Sequence, residues 1–302
     1  MRTLPLMGTY VTIQVIGGDA DSRQANLREE AIERAFEWFR EVERCCTRFE
    51  PQSEVMQLAA QAGAPVRVSA ILYECVQFAL AVAEESGGAF DPTIGQAMEE
   101  RGFNREYRSG QTIRTELHRD GSVSYRDVRL DAGSKTITLL RPLILDLGAV
   151  AKGMAIDLAA RELKTWRNFS VDAGGDVYLS GRNAAGELWS VGIRHPRRHD
   201  ELIERVRVSD QAVCTSGDYE RHAADEGEGH HILDPRARTP ANSVASVTVI
   251  APTAMLADAL GTAAFVLGPA EGIRLFERLR VEGLIVTPAL ERHATRGTCF
   301  DH

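Results

Sequence analysis

Apolar and polar positions alternate or recur along this chain with two different periods, and the switches between them mark its elements. Met7 to Ile16, MGTYVTIQVI, is β-branched and partly alternating, which predicts a strand. Asp21-Ser22 then caps a long helix whose apolar positions, Ile32, Ala35, Phe36, Phe39 and Val42, recur every three or four residues. Arg48-Phe49-Glu50-Pro51 breaks it. Ser53 starts a short helix through Met56 and Leu58. Ser69 starts another, with Leu72, Val76, Leu80 and Ala83 on one face, and Gly87-Gly88 ends it. Ala89 to Gly95 reads as a turn entering a helix, with Pro92 at an early position. Val128–Leu130 and Thr136–Leu140 read as a hairpin around Asp131 to Ser134.

The central stretch, Leu143 to Leu163, opens as a short strand at Ile144-Leu145. It turns at Asp146-Leu147-Gly148 and becomes a helix from about Lys152. Further strands are expected at 169–171, 177–179, 189–193, 204–208, 212–215 and 244–250. Helices follow at 253–267 and 270–279, with a closing strand at 284–287. Strands come in hairpin-linked runs and helices in separate blocks, which is an α+β pattern and not a repeating βα one. No fixed-period repeat, low-complexity tract or linker divides residues 1–302. One domain is expected, with room for two closely packed lobes, and an irregular insertion or loop near 104–127.

Composition narrows the function. The chain has 35 Lys plus Arg against 43 Asp plus Glu, a net charge of -8, and no basic cluster, which argues against a nucleic-acid binder. Cys45, Cys46, Cys75, Cys214 and Cys299 show no zinc-ligand spacing and fit small core residues in a reducing compartment. No charged-then-apolar leader precedes Met7 and no apolar run reaches membrane-spanning length, so a cytoplasmic location is expected, or a periplasmic one if a leader has been removed.

Three segments carry candidate chemistry. In the first, Gly148 and Gly153 permit close approach of the backbone, and Lys152 adds positive charge near a helix start. The stretch is either a phosphate seat or an ordinary strand-to-helix connection. In the second, Asp258 and Thr262 stand four apart on a helix that is apolar on nearly every side. Either they offer hard oxygens to a cation, or Asp258 caps a neighbouring backbone or pairs with an arginine. The third runs from Cys214 to Arg221 and on through His230-His231. Ser216 and Gly217 can cradle an anion. The histidines are metal ligands, a general base or part of a surface loop, and neighbouring residues on a strand face opposite ways. Ser216 lacks a nucleophile elbow, and the glycines of Asp172 to Asp176 lack dinucleotide-binding spacing.

Read as a set, MGT at Met7, FEPQSE at Phe49, AFDPTIG at Ala89, LDLGAVAKG at Leu145, AGGD at Ala173, TSGDYER at Thr215, HHILDPR at His230 and SVTVIAP with ADALGTA from Ser246 resemble the FAD:protein FMN transferase, or ApbE, family. The likeness runs from Met7 to about Gly268. It implies a T-fold-like α+β architecture, with mostly antiparallel sheets, helices packed on one side and a flavin cleft. It also implies magnesium-dependent transfer of FMN from FAD to a Thr or Ser hydroxyl of an acceptor flavoprotein, with release of AMP.

By that resemblance Met7, Phe49, Ala89, Phe90, Asp91, Asp146, Lys152 and Ile232 contact FAD. Ala149, through its carbonyl, Asp258 and Thr262 bind Mg²⁺, which turns the balance at Asp258 toward a metal. His231, with Asp258 as the alternative, is the candidate general base. A magnesium-dependent FAD pyrophosphatase and a non-catalytic FAD-binding protein are the competing readings. One departure concerns the loop after the histidines, where the family's DPRTG-x-P is replaced by Asp234-Pro235-Arg236-Ala237-Arg238-Thr239-Pro240.

Overall fold

A computed structural model describes residues 1–17, 21–107, 109–115, 122–219, 230–296 and 300. Strands β1 (Arg2–Leu6) and β2 (Thr9–Val15) lead into helices α1 (Ser22–Cys46) and α2 (Glu54–Ala59), strand β3 (Pro65–Arg67) and helix α3 (Ala70–Glu85). Helix α4 (Gly95–Glu100), strands β4 (Val128–Asp131) and β5 (Thr136–Leu139) and helix α5 (Gly148–Leu163) follow. Next come β6 (Phe169–Ala173), β7 (Asp176–Ser180), β8 (Trp189–His195), β9 (Arg198–Val208) and β10 (Gln211–Gly217), then the two-residue strands β11 (Leu233–Asp234) and β12 (Thr239–Pro240). The chain closes with β13 (Ser246–Ala251), α6 (Ala254–Leu267), α7 (Pro269–Leu279), β14 (Glu282–Val286) and β15 (Arg292–Ala294).

Eight strands form the main sheet in the order β1-β2-β6-β7-β10-β13-β14-β15, and its ladders are antiparallel. Strand period assigns its two faces. Val11, Ile13, Val171, Cys214, Val247, Val249 and Ile285 pack on one side with the buried faces of α1, α3, α5 and α6. Val177, Leu179, Val213, Ile250, Leu284 and Val286 pack on the other, with Ile193, Val206 and Val208 of the β8–β9 ribbon. All six residues of β13 are buried, as a central strand covered on both faces requires.

The capping predictions hold at atomic detail. Asp21 accepts from the Gln24 amide at 2.8 Å, Ser53 from Met56 at 3.3 Å and Ser69 from Leu72 at 3.2 Å. Gly87 and Gly88 end α3 with φ of 60° and 83°. Three expectations are corrected. The strand drawn over Met7–Ile16 is a hairpin whose first strand, β1, precedes it, and Met7 (φ 51°) and Gly8 (φ 74°) make the turn. Ile144-Leu145 is buried but not a strand: the Ile144 carbonyl accepts from the Gly95 amide, and the Asp146 amide donates to the Pro92 carbonyl. The central helix begins at Gly148 rather than Lys152. Within 104–127, Arg105 bridges Thr112, and Thr115 donates twice to the Glu99 carboxylate; residues 108 and 116–121 lie outside the described residues.

Candidate functional site

The site is built where α5 crosses the start of α6. Gly153 has no side chain because α6 occupies the space: a Cβ there would stand 2.5 Å from Met255 Cα and 2.6 Å from the Ala254 carbonyl oxygen. One turn later Asp157 fixes the contact. Its carboxylate accepts from the Ala254 amide at 2.7 Å and the Met255 amide at 3.0 Å, two of the donors that a helix N-terminus leaves unpaired. Thr253 caps a third, the Leu256 amide, at 3.3 Å. Burial pushes the Asp157 carboxyl up to about 6, against the lowering effect of those two amides.

This docking brings the next turn of α6 onto Lys152. The Lys152 ammonium lies 3.1 Å from Asp258 Oδ2 and also ion-pairs with Asp176 Oδ2 from β7. Asp176 Oδ1 accepts from the Thr215 amide of β10 at 2.9 Å. Both carboxylates are buried, Asp176 at 4% and Asp258 at 6% exposure. Lys152 is therefore not a solvated charge at a helix start but the fifth residue of α5, gripped by two acids. Among the described residues Asp258 pairs with a lysine, and Asp157 caps the start of α6.

Thr262 follows Asp258 by one helical turn. Ser216 packs against the preceding residue, Gly261, where a Cβ would lie 3.2 Å from Ser216 Oγ. Ala149 precedes Lys152 on α5 by about 4.5 Å along the axis. The structure thus brings Lys152, Asp176 and Asp258 together, with Thr262 one turn beyond Asp258 on α6 and Ala149 one turn before Lys152 on α5. Gly217 leaves room for the ring of Tyr219, whose atoms would meet a Cβ at 2.6 Å. Glu220 and Arg221 lie outside the described residues.

A second cluster sits at the start of α5. Asp146 Oδ1 accepts from the Gly148 amide at 2.9 Å, and Oδ2 takes the Arg48 Nε at 2.7 Å. The Arg48 guanidinium lies 4.3 Å from the centre of the Phe49 ring and also donates to the Phe103 carbonyl at 2.5 Å. The Phe103 ring meets His231 edge-on at 6.5 Å between centroids. The two histidines part as adjacent residues should. His230 is buried, its Nε2 2.9 Å from the Ala241 carbonyl and its ring against Phe265 at 5.3 Å, while His231 is half-buried. Ile232 is buried, and its amide donates to His230 Nδ1 at 3.2 Å.

Ala89, Phe90 and Asp91 are all buried. The Asp91 carboxylate accepts from the Thr93 amide and hydroxyl and from the Tyr125 amide, and burial raises its pKa. It braces the segment that carries the Pro92 carbonyl to Asp146. Met7 lies in the β1–β2 turn. Beside Phe49 opens a cleft of about 480 Å³, lined also by Leu6, Arg40, Thr47 and Tyr107.

The altered loop keeps its hairpin. Arg238, at the fifth position of the segment, where glycine is usual, still adopts a left-handed φ of 56°. Its carbonyl accepts from Arg101 Nε at 3.0 Å, and Arg236 donates to the Gly87 carbonyl at 2.9 Å. Asp176 and Asp157 join the site from outside the candidate residues of the sequence. A carboxylate inside an apolar helix face, at Asp157, and one directly after a Gly-Gly turn, at Asp176, were the available signals.

The donors that the resemblance assigns, the Asp258 carboxylate, the Thr262 hydroxyl and the Ala149 carbonyl, are hard oxygens of the kind that suits magnesium rather than a soft metal. Among the described residues no three His, Cys, Asp or Glu side chains cluster as a metal site. Lys152 stands between two buried carboxylates, Asp176 and Asp258.

Comparison with known proteins gives the family and the fold. The ApbE family model matches residues 7–285. A Treponema pallidum FAD:protein FMN transferase is 34% identical over 97% of this chain and 85% of its own length. One from Vibrio cholerae is 30% identical over 93% and 85%. Among solved structures, an ApbE protein of Thermotoga maritima superposes with a TM-score of 0.83 at 31% identity, covering 98% of this chain and 96% of that one. The flavin transferase ApbE of Vibrio cholerae superposes with 0.81 at 27%, with the same coverage.

Proposed function

This chain belongs to the ApbE family, and from that premise we propose that it is an FAD:protein FMN transferase that needs magnesium, modifies a Thr or Ser hydroxyl of an acceptor flavoprotein and releases AMP. What supports the magnesium requirement is the pair of buried carboxylates, Asp176 and Asp258, on either side of Lys152, where a divalent cation would offset negative charge facing FAD's diphosphate. Asp258, Thr262 and the Ala149 carbonyl would hold the ion, which supplies charge neutralisation to the diphosphate when bound. Lys152 adds its ammonium on the same side.

The remaining assignments follow the second cluster. Phe49, stiffened by Arg48, offers a ring face to the flavin beside a cleft large enough for an aromatic ring system. Met7, Ala89, Phe90, Asp91 and Ile232 are assigned to FAD by the family resemblance alone, since none of them lines that cleft. Asp146 holds Arg48 and the first turn of α5 in place, and Ser216 and Gly217 line the phosphate side. The acceptor oxygen attacks the FMN phosphorus, the bond to the AMP phosphate oxygen breaks, and AMP leaves with that oxygen. His231 takes the hydroxyl proton, with Asp258 the alternative acceptor.

The test is mass spectrometry of an acceptor protein after incubation with FAD and Mg²⁺, with EDTA as control. Covalent FMN that vanishes with EDTA supports the reading. FMN and AMP released with no acceptor modified would make the protein a pyrophosphatase. Bound FAD with no AMP formed would make it a flavin carrier.

A further inference from the structure

Asp258 already has a cation, and that cation is part of the chain. The Lys152 ammonium stands 3.1 Å from Asp258 Oδ2, on the carboxylate assigned to the metal. A divalent ion drawing on the same carboxylate meets that ammonium as a like charge at close range, in a setting where both acids are buried. Lys152 has somewhere else to go. Asp176 is held on the sheet side by the Thr215 amide and already shares the ammonium.

We propose that Lys152 is a resident counter-cation of Asp258 that the divalent ion displaces, and that Asp176 is the positioning residue that retains the displaced ammonium beside the diphosphate. This rests on the reading that Asp258 and Thr262 take the ion. Before the exchange one ammonium serves two carboxylates. Afterwards the ion serves Asp258, and Lys152 with Asp176 forms a neutral pair. Asp176 therefore lowers the cost of the exchange. Without it Lys152 and Asp258 would close into a neutral pair of their own, which the ion would have to break. The same exchange couples the two ligands: metal binding releases Lys152 toward the phosphates, and by linkage FAD tightens metal binding.

The experiment titrates Mn²⁺ alone, a paramagnetic stand-in for Mg²⁺, into FAD-free protein. Free Mn²⁺ is followed by electron paramagnetic resonance for wild type, Lys152→Met, Lys152→Arg, Asp176→Asn and the Lys152→Met/Asp176→Asn double variant. Lys152→Met should tighten Mn²⁺ by about tenfold or more, the change that about 1.4 kcal/mol produces. Lys152→Arg, which keeps the charge, should not tighten it. Asp176→Asn should weaken binding, and the double variant should return to the affinity of Lys152→Met.

Lys152→Met binding that is unchanged or weaker overturns the displacement. A double variant as weak as Asp176→Asn makes Asp176 a metal ligand instead. Should Asp176→Asn fail to fold, the Met and Arg pair at 152 still decides the central point. Mn²⁺ binding that is absent in wild type, or that survives Asp258→Ala, defeats the metal site itself. Binding lost in Asp258→Ala yet indifferent to Lys152→Met defeats only this inference.

Discussion

Gly153→Ala should separate the stability of this protein from its activity. The new methyl carbon would lie 2.5–2.6 Å from three backbone atoms of Ala254 and Met255, where ordinary contact begins at 3.4 Å. Backbone cannot rotate aside as a side chain can, so the start of α6 must retreat from α5 by about 0.9 Å. Overpacking of this kind costs roughly 1–3 kcal/mol. Alanine in a helix recovers about 1 kcal/mol relative to glycine. The net loss is then roughly 0–2 kcal/mol, a fall of a few degrees in melting temperature for a chain of this size.

The retreat also carries Asp258 away from Lys152, now 3.1 Å apart, and a displacement near 1 Å in a reacting constellation can cost about 100-fold in rate. The assay is FMN transfer at saturating FAD and Mg²⁺, beside a thermal melt. A melt a few degrees lower with turnover down by about 100-fold is expected. Turnover near wild type would show that the glycine contact does not set the spacing of the site.

Asp258→Ala should abolish magnesium-dependent transfer while leaving a folded protein, and substantial residual turnover would remove this carboxylate from the metal reading. Asp157 should impose a pH dependence on stability. Its carboxyl is raised by burial from 3.8 to about 6, so its contribution is fully present below about pH 4 and is lost as pH rises through 6. Urea midpoints at pH 4 and 7 should therefore show wild type losing ground to Asp157→Asn at the higher pH, by up to about 3 kcal/mol. A difference that stays constant with pH would count against a raised carboxyl. Arg238→Gly should raise stability by up to about 1 kcal/mol by removing a left-handed non-glycine residue; a lower melting temperature would mean that the arginine side chain more than offsets its backbone strain.

Short-range signals were the ones the sequence showed plainly. Asp21, Ser53 and Ser69 announced their helices because a cap acts over three residues. The hairpins at 128–139 and 169–180 were legible from strands flanking a turn. The extended run at Ile144-Leu145 misled because an apolar run is equally consistent with a buried segment whose amides and carbonyls pair outside any ladder. At the site, spacing placed Asp258 and Thr262 on one helix face but could not show what they faced. Lys152 meets Asp258 across more than a hundred positions, and Asp176 enters from a third element. Asp157, the residue that fixes the crossing, lay hidden in a helical apolar stripe because its partners are backbone amides 97 and 98 residues away.

That separation has a consequence for synthesis. The residues after Asp157 that complete the crossing emerge from the ribosome well after α5 does: at 5–20 residues per second, the 97-residue gap to Ala254 takes about 5–20 s to translate. Through that interval the nascent chain carries α5 without α6, and Lys152 without Asp258. A growing polypeptide therefore lacks the α5–α6 crossing, and the Lys152–Asp258 contact with it, until synthesis has passed residue 258.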